Sequence, residues 1–124
     1  MAETKTQEII VRVFDVIGSA LAVSSDDGQL VHDKVAPLLR EGNKVIISFE
    51  KIETMISAFL NAAIGQLYGE FPEDRIRESF GVRDMSPEDL ALLKRVVDNA
   101  KLYFKNRAQF DQAWQEDEGT GSEK

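Results

Sequence analysis

The sequence predicts one α/β domain with a central, mostly parallel sheet of about four strands and helices packed against it. Two observations support this fold class. Apolar, strand-like segments alternate along the chain with longer segments of helical periodicity, and this order is typical of parallel sheets with helical crossovers. Residues 45–49 are almost wholly apolar, which predicts a strand covered on both faces.

The composition fits one domain with one core. The chain has 124 residues, of which 43% are hydrophobic and 30% are charged, and this length suffices for a single core. No apolar run approaches the roughly 18 residues of a membrane helix, and the first residues show no leader pattern. Cysteine is absent, which permits a reducing compartment. We expect a cytoplasmic protein.

Charge and missing motifs exclude several functions. The net charge of −7 argues against binding a phosphate backbone. One histidine and no cysteine leave only an all-oxygen metal site, and neither an EF-hand nor a glycine-rich phosphate loop is present. No set of nucleophile, acid and base can be assembled. We therefore expect no cofactor, metal, nucleic acid or membrane partner, and no enzymatic activity.

The first half of the chain predicts a strand and a helix after a frayed segment, 1–6. Residues 8–17 are rich in Ile, Val and Phe and predict the first strand, whereas 18–23 form either a loop or a short second strand. A helix begins with the capping segment 24–27 and runs to about Glu41, with Gly42 as its stop. The histidine of the chain, His32, is expected on the surface of this helix.

The second strand is predicted at 44–49 and the second helix at 56–70. Gly65 and Gly69 within that helix indicate close packing on a neighbouring element, because glycine costs roughly 1 kcal/mol in a helix relative to alanine. Alternating residues predict an edge strand at 75–82. Two arginines lie in this strand and a third directly follows it: Arg75, Arg77 and Arg83. They are either solvated charges or a contact for an acidic partner.

The segment 86–89 is a strong helix start, with a capping serine, a proline and two acids. The last helix is predicted to end near Lys105. A short helical continuation over 106–115 would carry Phe110 and Trp114, which we expect to pack on the domain. The folded domain is thus predicted over 7–115, followed by a disordered acidic tail over 116–124.

The junction after the second strand holds the candidate site. Ser57 lies near a helix N-terminus, where free N–H groups and the helix dipole favour an anion. Ser57 is either a phosphoacceptor or a helix N-cap, and Thr54 is an alternative cap. Asn61 lies four residues further on the same helix face, where it either holds a ligand or bonds locally.

Three carboxylates lie near predicted strand ends: Asp15, Glu50 and Glu53. The carboxyl edge of a parallel sheet is where metals and catalytic bases are often held. The interpretation that we prefer is that these are solvated loop charges.

Several segments resemble the bacterial STAS-like domains of unknown function, and the resemblance covers roughly residues 8–105. The segments that carry the resemblance are Ser48–Ile52, Ser57–Asn61, Gly65 and Ser86–Asp89. More distantly, the chain is similar to STAS anti-sigma-factor antagonists, in which a partner kinase phosphorylates a serine at this junction. Those antagonists carry Asp-Ser-Ser-Gly-Leu-Gly, whereas this chain has Ile-Ser-Ala-Phe-Leu-Asn over 56–61. Only Ser57 and Leu60 match, and Ala58 stands at the usual phosphoacceptor position.

The resemblance implies a regulatory protein-interaction module that takes part in partner switching. Some similar proteins lie beside, or are fused to, a histidine-kinase-like ATPase, so such an ATPase or an anti-sigma-type kinase is the expected partner. The implied binding surface spans Glu50–Asn61, and its candidate residues are Glu50, Glu53, Thr54, Ser57 and Asn61. Two alternatives stay open: a small-ligand site for a nucleotide or acyl group at the same helix start, and an assembly subunit that pairs through 75–82. A homo-oligomer is compatible with each.

Overall fold

The computed structural model describes the backbone of residues 8–119 and the side chains of residues 8–105. The predicted frayed segment and the side chains of the predicted tail lie outside these residues, as do the side chains of Phe110 and Trp114. In chain order the elements are β1 Glu8–Arg12, α1 Val13–Ile17, β2 Leu21–Ala22, α2 Ser25–Arg40, β3 Lys44–Ser48, β4 Thr54–Met55, α3 Ser57–Ala63, a 3₁₀ segment Gly65–Gly69, α4 Glu73–Ser79, β5 Phe80–Arg83 and α5 Pro87–Gly119.

The predicted α/β class with a parallel sheet is confirmed, but the strands form two sheets. The main sheet has the order β1-β3-β5, and both of its strand pairs are parallel. The strands β2 and β4 form a separate parallel ribbon. This ribbon resolves the alternative left open for 18–23, which contains a short strand. It also adds β4, which the sequence did not predict.

One face of the main sheet packs under the helices. Val45 pairs in register with Ile9 and Phe80, and Ile47 pairs with Val11 and Val82. These six side chains point to the helical side, where Val45 and Ile47 are fully buried. The other face is half open in the described part of the chain, because Ile10 is 40% exposed and Ile46 is only partly buried. The prediction of a strand covered on both faces is therefore correct for one face only.

The first strand is shorter than predicted. Residues 13–17 form α1, which ends at Gly18 in the left-handed conformation with a φ of 72°. An apolar run of this length does not distinguish a strand from a buried helix turn. The early end of β1 matters for function because it places Arg12 at the carboxyl edge of the sheet.

Helix α2 begins and ends as the sequence predicts. The Asp27 N–H donates to Ser24 Oγ at 3.0 Å, and Gly42 has a φ of 93° just past the helix. Gly28 allows α2 to lie directly against α3, because a Cβ built at this position would overlap the carbonyl oxygen of Phe59. This close approach joins the two helices that cover the sheet.

The predicted second helix is interrupted. Helix α3 ends at Ala63, and the chain continues as the 3₁₀ segment after Ile64, whose φ and ψ are −122° and −43°. The expected reason for glycine is confirmed at Gly69, where a Cβ would overlap the ring of Phe104 on α5. Gly65 makes only ordinary contacts with α5.

The predicted third strand is wrong over most of its length. Residues 73–79 form α4, and only Phe80–Arg83 is a strand. Pro72 precedes two acids in the first turn of α4, which is a helix-start signal that the alternation of the following residues masked. The edge position of β5 agrees with the prediction.

The last helix starts as predicted and runs further. The Asp89 N–H donates to Ser86 Oγ at 3.1 Å. The predicted helix to about Lys105 and its predicted continuation over 106–115 form one helix, α5, which runs to Gly119. Its buried residues Leu93, Val96 and Ala100 pack toward α3 and the 3₁₀ segment. Among the described residues, none of the helices is both long and apolar enough to cross a membrane.

Candidate functional site

The start of α3 is positioned by the β2–β4 ribbon. The N–H groups of Glu53 and Thr54 donate to the carbonyl of Ala20, and the Ile56 N–H donates to the carbonyl of Ala22. These bonds tie the loop that follows β3 to the segment that precedes α2. The middle of the segment Glu50–Asn61 is therefore fixed to β2 and the residue before it by backbone hydrogen bonds.

Neither Ser57 nor Thr54 is the helix cap that the sequence suggested. Ile56 occupies the N-cap position with an extended backbone, and no side chain caps the helix there. Ser57 is the first residue of α3 and is exposed. Since the first intrahelical bond joins the Leu60 N–H to the Ile56 carbonyl, the three preceding N–H groups have no acceptor within the helix.

An exposed apolar patch lies beside Ser57. Leu21, Val23 and Ile56, here called the ribbon patch, are 49%, 42% and 40% exposed. Leu21 belongs to β2, Val23 directly follows β2, and Ile56 directly follows β4. The parallel register places Leu21 beside Thr54. Apolar side chains grouped in this way, with polar neighbours, are typical of interaction surfaces. The patch was not predicted from the sequence because it depends on the strand β4, which was not predicted either.

The other predicted site residues near this junction, Glu53 and Asn61, do not form a common site with Ser57. Asn61 and Glu53 are exposed. Asn61 faces α5 across a shallow cavity of about 240 Å³ that also contacts Gln66 and Tyr103. Ser57 does not line this cavity or any of the three cavities described below, and its side chain is exposed at the start of α3.

The three predicted carboxylates do not form one site. Asp15 and Glu50 line a shallow cavity of about 250 Å³ with Arg12 and Lys51, whereas Glu53 lies on the ribbon. Glu50 pairs with Arg12 at 2.6 Å, and both side chains are about half exposed. No group of three metal-binding side chains occurs among the described residues.

A hydrogen bond between the buried Ser48 and the exposed Asp84, at the same sheet edge, was not predicted. The Ser48 hydroxyl is buried at the end of β3 and donates to Asp84 Oδ2 at 2.7 Å, while it accepts the Glu50 N–H at 3.3 Å. Asp84 and Lys51 have φ values of 65° and 70°, which is uncommon for residues other than glycine. Both belong to loops at the carboxyl edge of the sheet, where strained backbone often accompanies function.

The surface position predicted for His32 is wrong. Its side chain is buried, and Nε2 lies 2.9 and 3.0 Å from the two carboxylate oxygens of Glu70. Nδ1 lies 3.1 Å from Asp33 Oδ1. Hydrogen bonds from Gln29 and then His32 lower the pKa of Asp33. Histidine is buried here because these polar partners replace water.

The three predicted arginines do not form one basic patch. Arg75 contacts the carbonyl of Leu39 and lies over the ring of Phe71. Arg77 pairs with acids of its own helix, and Arg83 lies 3.8 Å from Asp84. They occupy α4 and β5 rather than one edge strand, so they give no common contact for an acidic partner.

A wider cavity of about 570 Å³ lies between the 3₁₀ segment, α4 and α5. Lys101 Nζ lies 2.9 Å from Glu73 Oε2 within it, and this hydrogen bond raises the pKa of Lys101. Burial raises the pKa of Tyr68, which also lines this space. The cavity lies apart from the Ser57 surface and brings together none of the predicted site residues.

A comparison of the sequence with models of known protein families assigns the chain to one family. The chain belongs to the family described as STAS-like domain of unknown function (DUF4325), whose model matches residues 27–90, just over half of the chain. This match includes α2, β3, the ribbon strand β4 and α3. Neither the curated proteins nor the solved structures include a match to the chain.

Proposed function

We propose that this chain is a regulatory, non-enzymatic module of the bacterial cytoplasm that binds a second protein through the surface Glu50–Asn61. The observation that supports this most strongly is the ribbon patch beside Ser57. Three large apolar side chains at 40–49% exposure form a surface that a protein partner would cover. Their polar neighbours, among them Glu53, Thr54 and Asn61, would form the rim of the interface.

The exposed apolar side chains of this surface favour a protein over a small ligand. Ligand sites are concave and enclose most of the ligand, whereas the cavities that contact this surface involve Glu50 and Lys51 or Asn61 at its two ends and not the ribbon patch or Ser57. Protein interfaces instead use flat patches with a dry apolar centre. Ile56 is the best candidate for that centre, because it directly precedes Ser57 and extends from the ribbon.

The proposed partner is a histidine-kinase-like ATPase or an anti-sigma-type kinase. The family resemblance supports this choice. Ser57 is the candidate phosphoacceptor, since a phosphate there would lie close to the N–H groups of Ala58 and Phe59 at the positive end of the helix dipole. The phosphate would also add negative charge beside an apolar patch and so weaken the docking of a partner.

The experiment is a tagged pull-down from the native cell, followed by mass spectrometry of the partners and of the bait. We expect a histidine-kinase-like ATPase to be recovered with the wild type and lost with Ile56→Lys. Ser57→Ala should keep the partner, and Ser57→Asp should reduce its recovery. Phosphate found on Ser57 would establish the switch chemistry, and its absence would leave unmodified binding as the mechanism.

Substitutions at Glu53, Ile56, Ser57 and Asn61 that leave every interaction unchanged would contradict the proposal. A thermal-shift screen of nucleotides and acyl compounds tests the ligand alternative in parallel. A specific ligand at about 100 times its dissociation constant adds roughly 2.7 kcal/mol to the free energy of unfolding. Such a shift, lost in Ser57→Ala, would replace the protein-binding proposal with a ligand-binding one.

A further inference from the structure

The strand β1 is an edge of the main sheet. Within the described part of the chain it pairs with β3 alone, so its outer side presents unpaired N–H and C=O groups. Its sequence is Glu-Ile-Ile-Val-Arg, without proline, and Ile10 at its centre is 40% exposed. A groove of about 420 Å³ runs along it, lined by Val16 of α1 and by Lys34 and Leu38 of α2.

The residues of β1 are complementary to themselves in one arrangement. Antiparallel pairing of two copies centred on Ile10 places Glu8 of each copy opposite Arg12 of the other, and Ile9 opposite Val11. Opposite charges and aliphatic pairs directly across from each other stabilise antiparallel strands. Such self-complementarity is the requirement of a twofold symmetric interface.

We propose that β1 pairs antiparallel with β1 of a second copy, which gives a symmetric dimer with a continuous six-stranded sheet. A twofold axis perpendicular to the sheet keeps the helices of both copies on one side. Ile9 and Val11 of the second copy then approach the groove beside Leu38. The two Ile10 side chains meet on the half-open face.

The charges at the ends of β1 remain accessible for this pairing. Glu8 lies 3.9 Å from Lys44, and Arg12 lies 2.6 Å from Glu50. These side chains are each about half exposed, so a charge from the second copy extends the existing ion pairs rather than replacing them. Glu8 and Arg12 can therefore form one Glu–Arg pair between the two copies at each end of the interface.

The opposite edge of the sheet lacks this complementarity. β5 has the sequence Phe-Gly-Val-Arg. Its antiparallel self-pairing over four residues places Phe80 opposite Arg83 and Gly81 opposite Val82, with no opposite charges. The structure therefore assigns the contact between copies to β1 and not to the segment 75–82 that the sequence suggested.

The test is sedimentation analysis of the full chain across a concentration series. The wild type should change from monomer to dimer mass with concentration. Glu8→Arg alone and Arg12→Glu alone should each weaken dimerisation by about tenfold, because two attractive pairs become repulsive. The double exchange Glu8→Arg/Arg12→Glu restores opposite charges and should restore the dimer.

Mixing the two single variants provides the sharpest readout. An equimolar mixture of Glu8→Arg and Arg12→Glu places arginine opposite glutamate at both ends, so it should form a mixed dimer at concentrations where each variant alone is mainly monomeric. A misfolded variant would not be rescued in this way. A monomeric wild type at every concentration, or a mixture that stays monomeric, overturns the proposal.

A matched pair of isoleucines separates this proposal from the proposed function. Ile10 and Ile56 are both 40% exposed, and lysine on an edge strand opposes pairing. Ile10→Lys should yield a monomer that still binds the cellular partner, whereas Ile56→Lys should yield a dimer that does not. A dimer that persists in Ile10→Lys, or one that is lost in Ile56→Lys, contradicts the assignment to β1.

Discussion

His32 and Glu70 form a direct polar link between α2 and the end of the 3₁₀ segment. Nε2 of His32 lies 2.9 and 3.0 Å from the two carboxylate oxygens of Glu70, within hydrogen-bonding distance of both. Arg40 adds a longer contact to the same carboxylate at 3.9 Å. The link joins residues 38 positions apart and so ties α2 to the end of the 3₁₀ segment.

Removal of this link is expected to destabilise the fold. Glu70→Ala should reduce the free energy of unfolding because the buried His32 loses its partner at Nε2, and His32→Ala because the hydrogen bond and the packing of a buried side chain are both lost; each should cost about 2 kcal/mol. Urea denaturation of the two single variants and the double variant measures the coupling. Losses that simply add would show that the two side chains do not stabilise each other.

Asp33 is expected to make stability depend on pH. Hydrogen bonds from Gln29 and His32 lower its folded-state pKa, so its contribution is present above the unfolded pKa of about 3.9 and is lost as the pH falls further. Asp33→Asn should therefore be less stable than the wild type at pH 7, and the difference should shrink below about pH 4. A difference that is constant with pH, measured by urea denaturation, would exclude this contribution.

Gly28→Ala is expected to destabilise the protein although it favours the helix itself. Alanine gains roughly 1 kcal/mol over glycine in an open helix, but a Cβ here would overlap the Phe59 carbonyl and lie 2.8 Å from the Cβ of Ala62. Separation of α2 from α3 should cost about 2 kcal/mol or more overall. Gly65→Ala is the control, since its nearest neighbour would lie at 3.4 Å, and thermal unfolding compares the two.

Arg75 is expected to stabilise the protein through geometry rather than charge alone. Its guanidinium contacts the Leu39 carbonyl in the last turn of α2 and lies 5.7 Å from the centre of the Phe71 ring. Arg75→Ala should cost about 1–2 kcal/mol, and lysine should not restore it. The exposed Arg77, which pairs only within α4, is the control and should cost at most about 0.5 kcal/mol. Full rescue by Arg75→Lys in urea denaturation would refute the geometric role.

The elements with strong local signals were predictable from the sequence. The capping serines Ser24 and Ser86 and the terminal Gly42 determine helix ends through neighbouring residues alone, and the structure confirms each. The central strand was predictable because its apolar run is short and bounded. In each case the pattern and the local chemistry favour the same element.

The errors arose where long-range contacts decide the structure. Residues 75–79 alternate as in a strand, yet they form α4 after Pro72. His32 is buried because Glu70 lies opposite it, and the ribbon patch exists because β2 meets β4, which are more than 30 residues apart. The strand-to-helix junction before Ser57 was predictable from the sequence, but the exposed apolar residues beside it were not.

The most direct test of the proposed function is binding of the purified partner, identified by the pull-down, to wild type, Ile56→Lys and Ile10→Lys by titration calorimetry. Loss of a hot-spot residue at the centre of a protein interface costs about 2 kcal/mol or more. Ile56 is the residue proposed for that role, so we expect Ile56→Lys to weaken binding by about 30-fold or more. Ile10→Lys should bind as the wild type does. Equal affinity for all three proteins would contradict binding through the surface Glu50–Asn61.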